Sequence, residues 1–194
     1  MSLPVKEACW ITGILQCVAG APCAICELSI HSPLLRRLGL SELQFAATFA
    51  APLKTVLLVE DSSDDVFVMK MACQRSGIPH DLRVAEDGDV AVEYLSGAGK
   101  YRDRTAHPFP DVVFLDIKMP KRDGHEVLKW IREQPGLKNL PVVMLTGSVQ
   151  PSDVDRAFEL GVTSYLKKVA CPAEFGQAVR IILKYWLDLH ITPR

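Results

Sequence analysis

The chain has 194 residues, 48% hydrophobic and 23% charged, with 22 basic side chains against 23 acidic ones and a formal net charge of −1. That length holds one domain, or one domain with an appendage, and is enough to bury a real core. The balanced charge gives no electrostatic case for nucleic acid or an anionic membrane, and no apolar stretch approaches the roughly 18 residues of a spanning helix.

Residues 1–52 show no clean period. Four of the six cysteines, Cys9, Cys17, Cys23 and Cys26, fall in this stretch, and only Cys73 and Cys171 lie beyond it. The apolar region 11–30 is broken by Gly13, Gly20 and Pro22, and Lys6 is followed at once by Glu7, which is unlike a secretory signal. Cys23 and Cys26 have the spacing of a zinc knuckle, with Cys9, Cys17 and His31 nearby, but one pair with irregular partners is a weak signal. An irregular, poorly ordered N-terminal extension is expected over 1–52, with the domain proper over 53–190.

From residue 53 the pattern turns regular. The apolar run Val56, Leu57, Leu58, Val59 reads as a strand buried on both faces and ends in Glu60-Asp61. A helix is predicted over 64–76, with Val66, Met69 and Cys73 at helical spacing and Gly77 ending it. Residues 81–84 alternate, as an edge strand with one wet face does. A short helix is predicted over 88–95, with Val90, Val92 and Leu95 apolar, followed by a loop over 96–110. The second apolar run, Val112 to Leu115, ends in Asp116, and a helix follows near 124–133. The third, Val142 to Leu145, ends in Thr146-Gly147, and a helix over 151–160 leads to a more polar strand at 163–167. The last helix spans 172–189: Pro172 suits a first turn, and Phe175, Val179, Ile182, Leu183 and Trp186 share one face.

Strand and helix alternate five times, which predicts an α/β fold: a doubly wound, five-stranded parallel sheet with helices on both faces. The apolar strands belong in the centre and the weaker ones at the edges. The order 2-1-3-4-5, that of flavodoxin-like folds, satisfies this and puts strands 1 and 3 together at the switch point. Glu60, Asp61 and Asp116 then converge at the carboxyl ends of the strands. Carboxylates so placed repel one another and raise their own pKa values. A divalent cation resolves the conflict, and Mg2+ fits best because it takes one or two carboxylates, water and phosphate. The competing reading, that these acids merely cap the following helices, accounts for one of them and not for three. His80, His107, His125 and His190 lack ligand spacing and are expected at the surface.

Residues 54–189 resemble the receiver domain of two-component response regulators, of the CheY-like type. The resemblance rests on Glu60-Asp61, on Asp116 with Lys118, Pro120 and Gly124, on Thr146-Gly147, and on Tyr165-Leu166-Lys167-Lys168. The long loop before the third strand, with Ser-Gly-Ile-Pro-His at 76–80, resembles the single-domain regulators that partner bacterial phytochromes. The resemblance implies that Asp116 is the phosphoacceptor, a carboxylate nucleophile taking a phosphoryl group from a sensor histidine kinase. It implies Mg2+ held by Asp61 and Asp116, by Glu60 through water, and by the backbone carbonyl of Lys118. Thr146 and Lys168 would bind the phosphoryl oxygens, and Tyr165 would be the aromatic that turns inward when Thr146 moves. Gly147 would keep the approach open. The side chain of Lys118 would shield the acyl phosphate from water.

The family places its functional lysine three residues after the aromatic. Strand alternation sends Lys167 and Lys168 to opposite faces, so only one reaches the site. The family's usual proline after that lysine, in a cis peptide, is here Val169, which leaves the position of Lys168 for the structure to decide.

The function implied is that of a stand-alone cytoplasmic switch, not an enzyme beyond self-phosphorylation and slow self-dephosphorylation. The chain ends just past the fifth helix, so output by binding is expected, including a homodimer through the fourth helix, fifth strand and fifth helix. Two alternatives compete with it. A phosphohydrolase of the haloacid-dehalogenase type carries a second aspartate two residues after its nucleophile, where this chain has Lys118. A non-phosphorylated pseudo-receiver would not need the full set of Glu60, Asp61, Asp116, Thr146 and Lys168.

Overall fold

The computed structural model describes residues 53–147, 150–169 and 171–190. The expectations for 1–52, including the poorly ordered extension and the cysteine pair, lie outside the described residues. The strands are β1 (Thr55–Val59), β2 (Asp81–Ala85), β3 (Val112–Asp116), β4 (Val142–Thr146) and β5 (Ser164–Lys167), and all pair in parallel in the order β2-β1-β3-β4-β5. The helices are α1 (Ser63–Ser76), α2 (Gly88–Ser96), α3 (Gly124–Glu133), α4 (Pro151–Glu159) and α5 (Pro172–Leu183).

Strand periodicity divides the core into two layers. Val56 and Leu58, Val112 and Phe114, and Val143 and Leu145 pack with Met69 and Cys73 of α1 and Phe175, Val179 and Leu183 of α5. Their neighbours Leu57 and Val59, Val113 and Leu115, and Val142 and Met144 pack with α2, α3 and α4. Side chains point alternately to the two faces of a strand, so a central strand with helices on both sides must be apolar throughout. β1, β3 and β4 are fully buried.

Several local expectations change. In β2, Asp81 to Val84 are all half-buried, so the strand is an edge but has no clean wet face. α2 buries Ala91, Tyr94 and Leu95 rather than Val90 and Val92. The spacing i, i+3, i+4 fits a helix, whereas Val90 and Val92, two apart, cannot share a face. Loop 96–110 is packed: a 3-10 turn, Gly99–Arg102, buries Tyr101 against Tyr94, ring centroids 5.0 Å apart. Arg104 donates to the carbonyls of Tyr94 and Leu95 at 2.8 and 2.9 Å, closing the C-terminus of α2. The last helix widens after Leu183 into a π turn, Lys184–Leu189, where Leu187, four residues after the buried Leu183, continues the buried face. Ile181 stays exposed on α5, Tyr185 and Leu189 on the π turn that follows it, and Phe158 on α4.

Cys73 is buried in the α1–α5 layer, and burial pushes its thiol up to about 12, whereas Cys171 is exposed. At pH 8 a thiol of that pKa is roughly one part in ten thousand thiolate. Iodoacetamide at pH 8 is therefore expected to modify Cys171 within minutes and to spare Cys73 until the protein is unfolded, read by peptide mass mapping. Equal labelling of both in the native state would contradict this packing.

Candidate functional site

Sheet parity decides which side chains meet. Glu60 follows β1 in the parity of Val56 and Leu58, and Asp116 closes β3 in the parity of Val112 and Phe114. Because β1 and β3 are adjacent, the two carboxylates fall on the same side at the same edge. Asp61, one residue on, completes the group: ligand oxygens of Glu60, Asp61 and Asp116 all lie within 4.8 Å of one another. Glu60 and Asp116 are buried, and Asp61 is exposed.

The helix-cap explanation of these acids fails on geometry. α1 is capped by Ser62, whose hydroxyl accepts from Asp65 N at 3.4 Å, and α3 by Asp123 in a capping box with Glu126. Glu60 accepts instead from Ser62 N at 3.3 Å, and Asp116 from Lys118 N at 2.7 Å. The Asp116 contact turns the chain sharply after β3. Gly124 lies in the tight space this leaves, its N–H donating to the Ile117 carbonyl at 2.9 Å.

Lys168 is the lysine that reaches these acids. Its N–H donates to the Thr146 carbonyl at 2.6 Å, just beyond the β4–β5 ladder. Its ammonium lies 2.6 Å from Asp116 Oδ1, 2.7 Å from Glu60 Oε2 and 2.7 Å from Asp65 Oδ2. Lys167 is exposed, as alternation requires. Val169 follows without a cis bond, the described residues having none.

The charges respond to this crowding. Burial pushes the Glu60 carboxyl up, and nearby Asp116 adds to the push; hydrogen bonding to Lys168 opposes it without reversing it. Burial acts to lower the pKa of Lys168, but hydrogen bonds to Asp116, Asp65 and Glu60 prevail and hold it above the ordinary lysine value. The ammonium thus stays charged and only partly balances the acids around it.

Thr146 is buried at the end of β4 on the face shared with Met144. Tyr165 packs against that same layer with its hydroxyl buried. That hydroxyl meets no partner at full hydrogen-bonding geometry, yet the Thr146 side chain is close enough to act on it. Burial is the larger influence and pushes the phenol up. Gly147 is exposed with open space around it, and the Lys118 side chain is exposed.

The segment after Asp116 is clasped to the start of α2. Lys121 reaches Asp87, the N-cap of α2, at 2.5 Å, and Arg122 reaches Asp89 at 2.9 Å. Gly88 permits this approach: a Cβ there would lie 2.5 Å from the Arg122 carbonyl. Lys121 takes a left-handed φ of 66°, which costs a non-glycine residue roughly 1–2 kcal/mol. Its ion pair with the buried Asp87 acts against that strain.

Sequence reasoning missed Asp65 and misplaced His125. Asp65 stands three residues after Ser62, a spacing that marks the first helical turn and so the upper edge of the sheet. His125 is buried, not at the surface: its Nε2 donates to the Asp153 carbonyl at 3.0 Å, joining the first turns of α3 and α4. No periodicity distinguishes such a histidine from a solvated one.

A family model described as the response regulator receiver domain matches residues 56–180. The response regulator Rcp1 of Synechocystis sp. is 37% identical over 142 residues, which cover 73% of this chain and 95% of Rcp1. The crystal structure of the phosphorylated cyanobacterial phytochrome response regulator RcpA superposes with a TM-score of 0.68 at 34% identity, covering 74% of this chain and all of that one. The Mn2+-bound form of Rcp1 superposes with a TM-score of 0.65, covering 73% of this chain and 99% of that one.

Gly124→Ala is expected to destabilise the fold by about 1–3 kcal/mol, the usual range for overpacking. The added Cβ would run into the Asp116 carbonyl and stand 2.9 Å from Ile117 Cα. Urea denaturation monitored by circular dichroism measures it; an unchanged midpoint would show that the turn after β3 is looser than described.

Proposed function

The chain belongs to the response regulator receiver domain family, and from that premise we propose that it is a phosphorylation-controlled switch in a two-component phosphorelay. The observation carrying this reading is the convergence of Glu60, Asp61, Asp116, Thr146 and Lys168 at one sheet edge. Asp116 acts as nucleophile: a carboxylate oxygen bonds to phosphorus while the phosphorus–nitrogen bond of a kinase phosphohistidine breaks, leaving imidazole. Glu60, Asp61 and Asp116, with the Lys118 carbonyl, would hold Mg2+. The crowded oxygens and the raised Glu60 carboxyl suit such an ion. When bound, it neutralises the acids and the phosphoryl oxygens.

The remaining roles belong to the chain itself. Lys168 brings a positive charge to the Asp116 oxygen that becomes phosphorylated. The Thr146 hydroxyl, at the adjoining strand end, donates to a phosphoryl oxygen, and Tyr165 fills the space that its movement opens. Lys118, exposed two residues after Asp116, restricts water at the acyl phosphate. Nothing is turned over except the protein's own phosphoryl group, which water removes as inorganic phosphate. The lysine at 118 disfavours haloacid-dehalogenase chemistry, and the complete acid, hydroxyl and lysine set disfavours a pseudo-receiver.

The similar proteins named as phytochrome response regulators make a phytochrome-type sensor histidine kinase the proposed partner, in the cytoplasm. Among the described residues no helix is long and apolar enough to cross a membrane. Residues 53–190 form the receiver in this reading, and 1–52 an extension. Output runs through the surface of α4, β5 and α5, where Phe158, Ile181, Tyr185 and Leu189 are exposed. A second copy of the chain is the proposed occupant.

Acetyl phosphate with Mg2+ is expected to add one phosphoryl group to Asp116, seen as a single acid-stable, base-labile mass increment. Asp116→Asn should abolish it, and chelation of Mg2+ should slow it at least tenfold, since the ion stabilises the transferring group. A base-stable modification on Thr146 or Ser62 would refute the mechanism. Sedimentation velocity with beryllofluoride and Mg2+, at high micromolar protein, is expected to show a dimer; a monomer with and without the mimic would leave the α4–β5–α5 face to a different protein.

A further inference from the structure

Asp65 stands apart from the other acids that hold Lys168. Glu60 and Asp116 belong to the carboxylate triad, whereas Asp65 does not. Its side chain is 44% exposed, against 2% for Glu60 and 8% for Asp116. Its place is fixed by the Ser62 cap, which binds its N–H in the first turn of α1.

The consequence concerns two cations competing for the same oxygens. A divalent ion in the triad uses Glu60 and Asp116, the residues that now hold the ammonium at 2.7 and 2.6 Å. Ammonium and metal would then repel across a few ångströms in a half-buried site, where water screens weakly. Lys168 needs a counter-ion outside the triad. Asp65 offers one at 2.7 Å, reached without moving the lysine backbone, which is pinned to Thr146. We propose that Asp65 is a positioning residue for Lys168, holding its ammonium beside the phosphoacceptor while a divalent cation takes over Glu60 and Asp116. Removing it leaves Lys168 no anchor but the metal's own ligands, and the two cations become antagonists.

This inference rests on the metal reading of the triad, and a double-mutant cycle tests it separately. Mn2+ binding to the full-length chain is measured by titration calorimetry for the native sequence, Asp65→Asn, Lys168→Met and the double variant, with metal-free melting temperatures as a check on folding. Asp65→Asn is expected to weaken Mn2+ binding about five- to tenfold, a coupling typical of neighbouring charged groups. In the Lys168→Met background the same change should cost less than about twofold, because no ammonium remains to be held. Asp65→Glu should restore affinity to within about twofold of native, since a carboxylate is again in reach of a flexible lysine. Equal losses in both backgrounds would mean that Asp65 acts on the ion directly and would overturn the proposal, as would no loss in either or failure of Asp65→Glu to rescue. Absence of Mn2+ uptake by the native chain would defeat the metal reading and this inference together.

Discussion

Mutual repulsion among carboxylates at the end of one sheet is the constraint on which the rest of the site depends. Three acids with oxygens within 4.8 Å would not stay together and ionised without a compensating charge. Lys168 supplies one, reaching Glu60, Asp65 and Asp116 at 2.6–2.7 Å. Four acids around one ammonium leave a local excess of negative charge. That excess is what makes the edge attractive to a divalent cation and, with it, to a phosphoryl group. The rise in Glu60 and the rise in Lys168 are two expressions of this balance: burial penalises both charges, and the ion pairs overcome the penalty for the lysine but not for Glu60.

The fold creates the conflict through strand parity and resolves it through strand order. Adjacent β1 and β3 bring Glu60 and Asp116 to the same side of the edge. β4 and β5, next in order, bring Thr146 and Lys168. The apolar strands beneath are buried completely, so the acids stand on a base that cannot yield. The rim carries the exposed Lys118 and Gly147, and the clasped turn at Lys121 and Arg122. That turn carries a strained φ beside the ion pair of Lys121 with the buried Asp87.

Tyr165 and His125 carry polar groups below this edge. Tyr165 rests in the α2–α4 layer with its hydroxyl buried beside Thr146, on the strand next to α5 and its exposed apolar stripe. His125 joins α3 to the first turn of α4 through the Asp153 carbonyl. Both are polar groups held in an otherwise apolar layer, where an unmet or broken hydrogen bond is costly.

The sequence by itself determined the alternation of strands and helices, the central place of the three apolar strands, and the arrival of Glu60, Asp61, Asp116 and Thr146 at one edge. Two-sided burial leaves a continuous apolar run, and an acid ending that run can only sit at its tip. Alternation also separated Lys168 from Lys167. Tertiary structure alone decided what depends on distant partners. Asp65 belongs to the site because Lys168, far along the chain, swings across to it. His125 is buried because α4 packs over α3. Periodicity records which face of an element is apolar, but it carries no record of which polar side chain another element covers or which two charges finally meet.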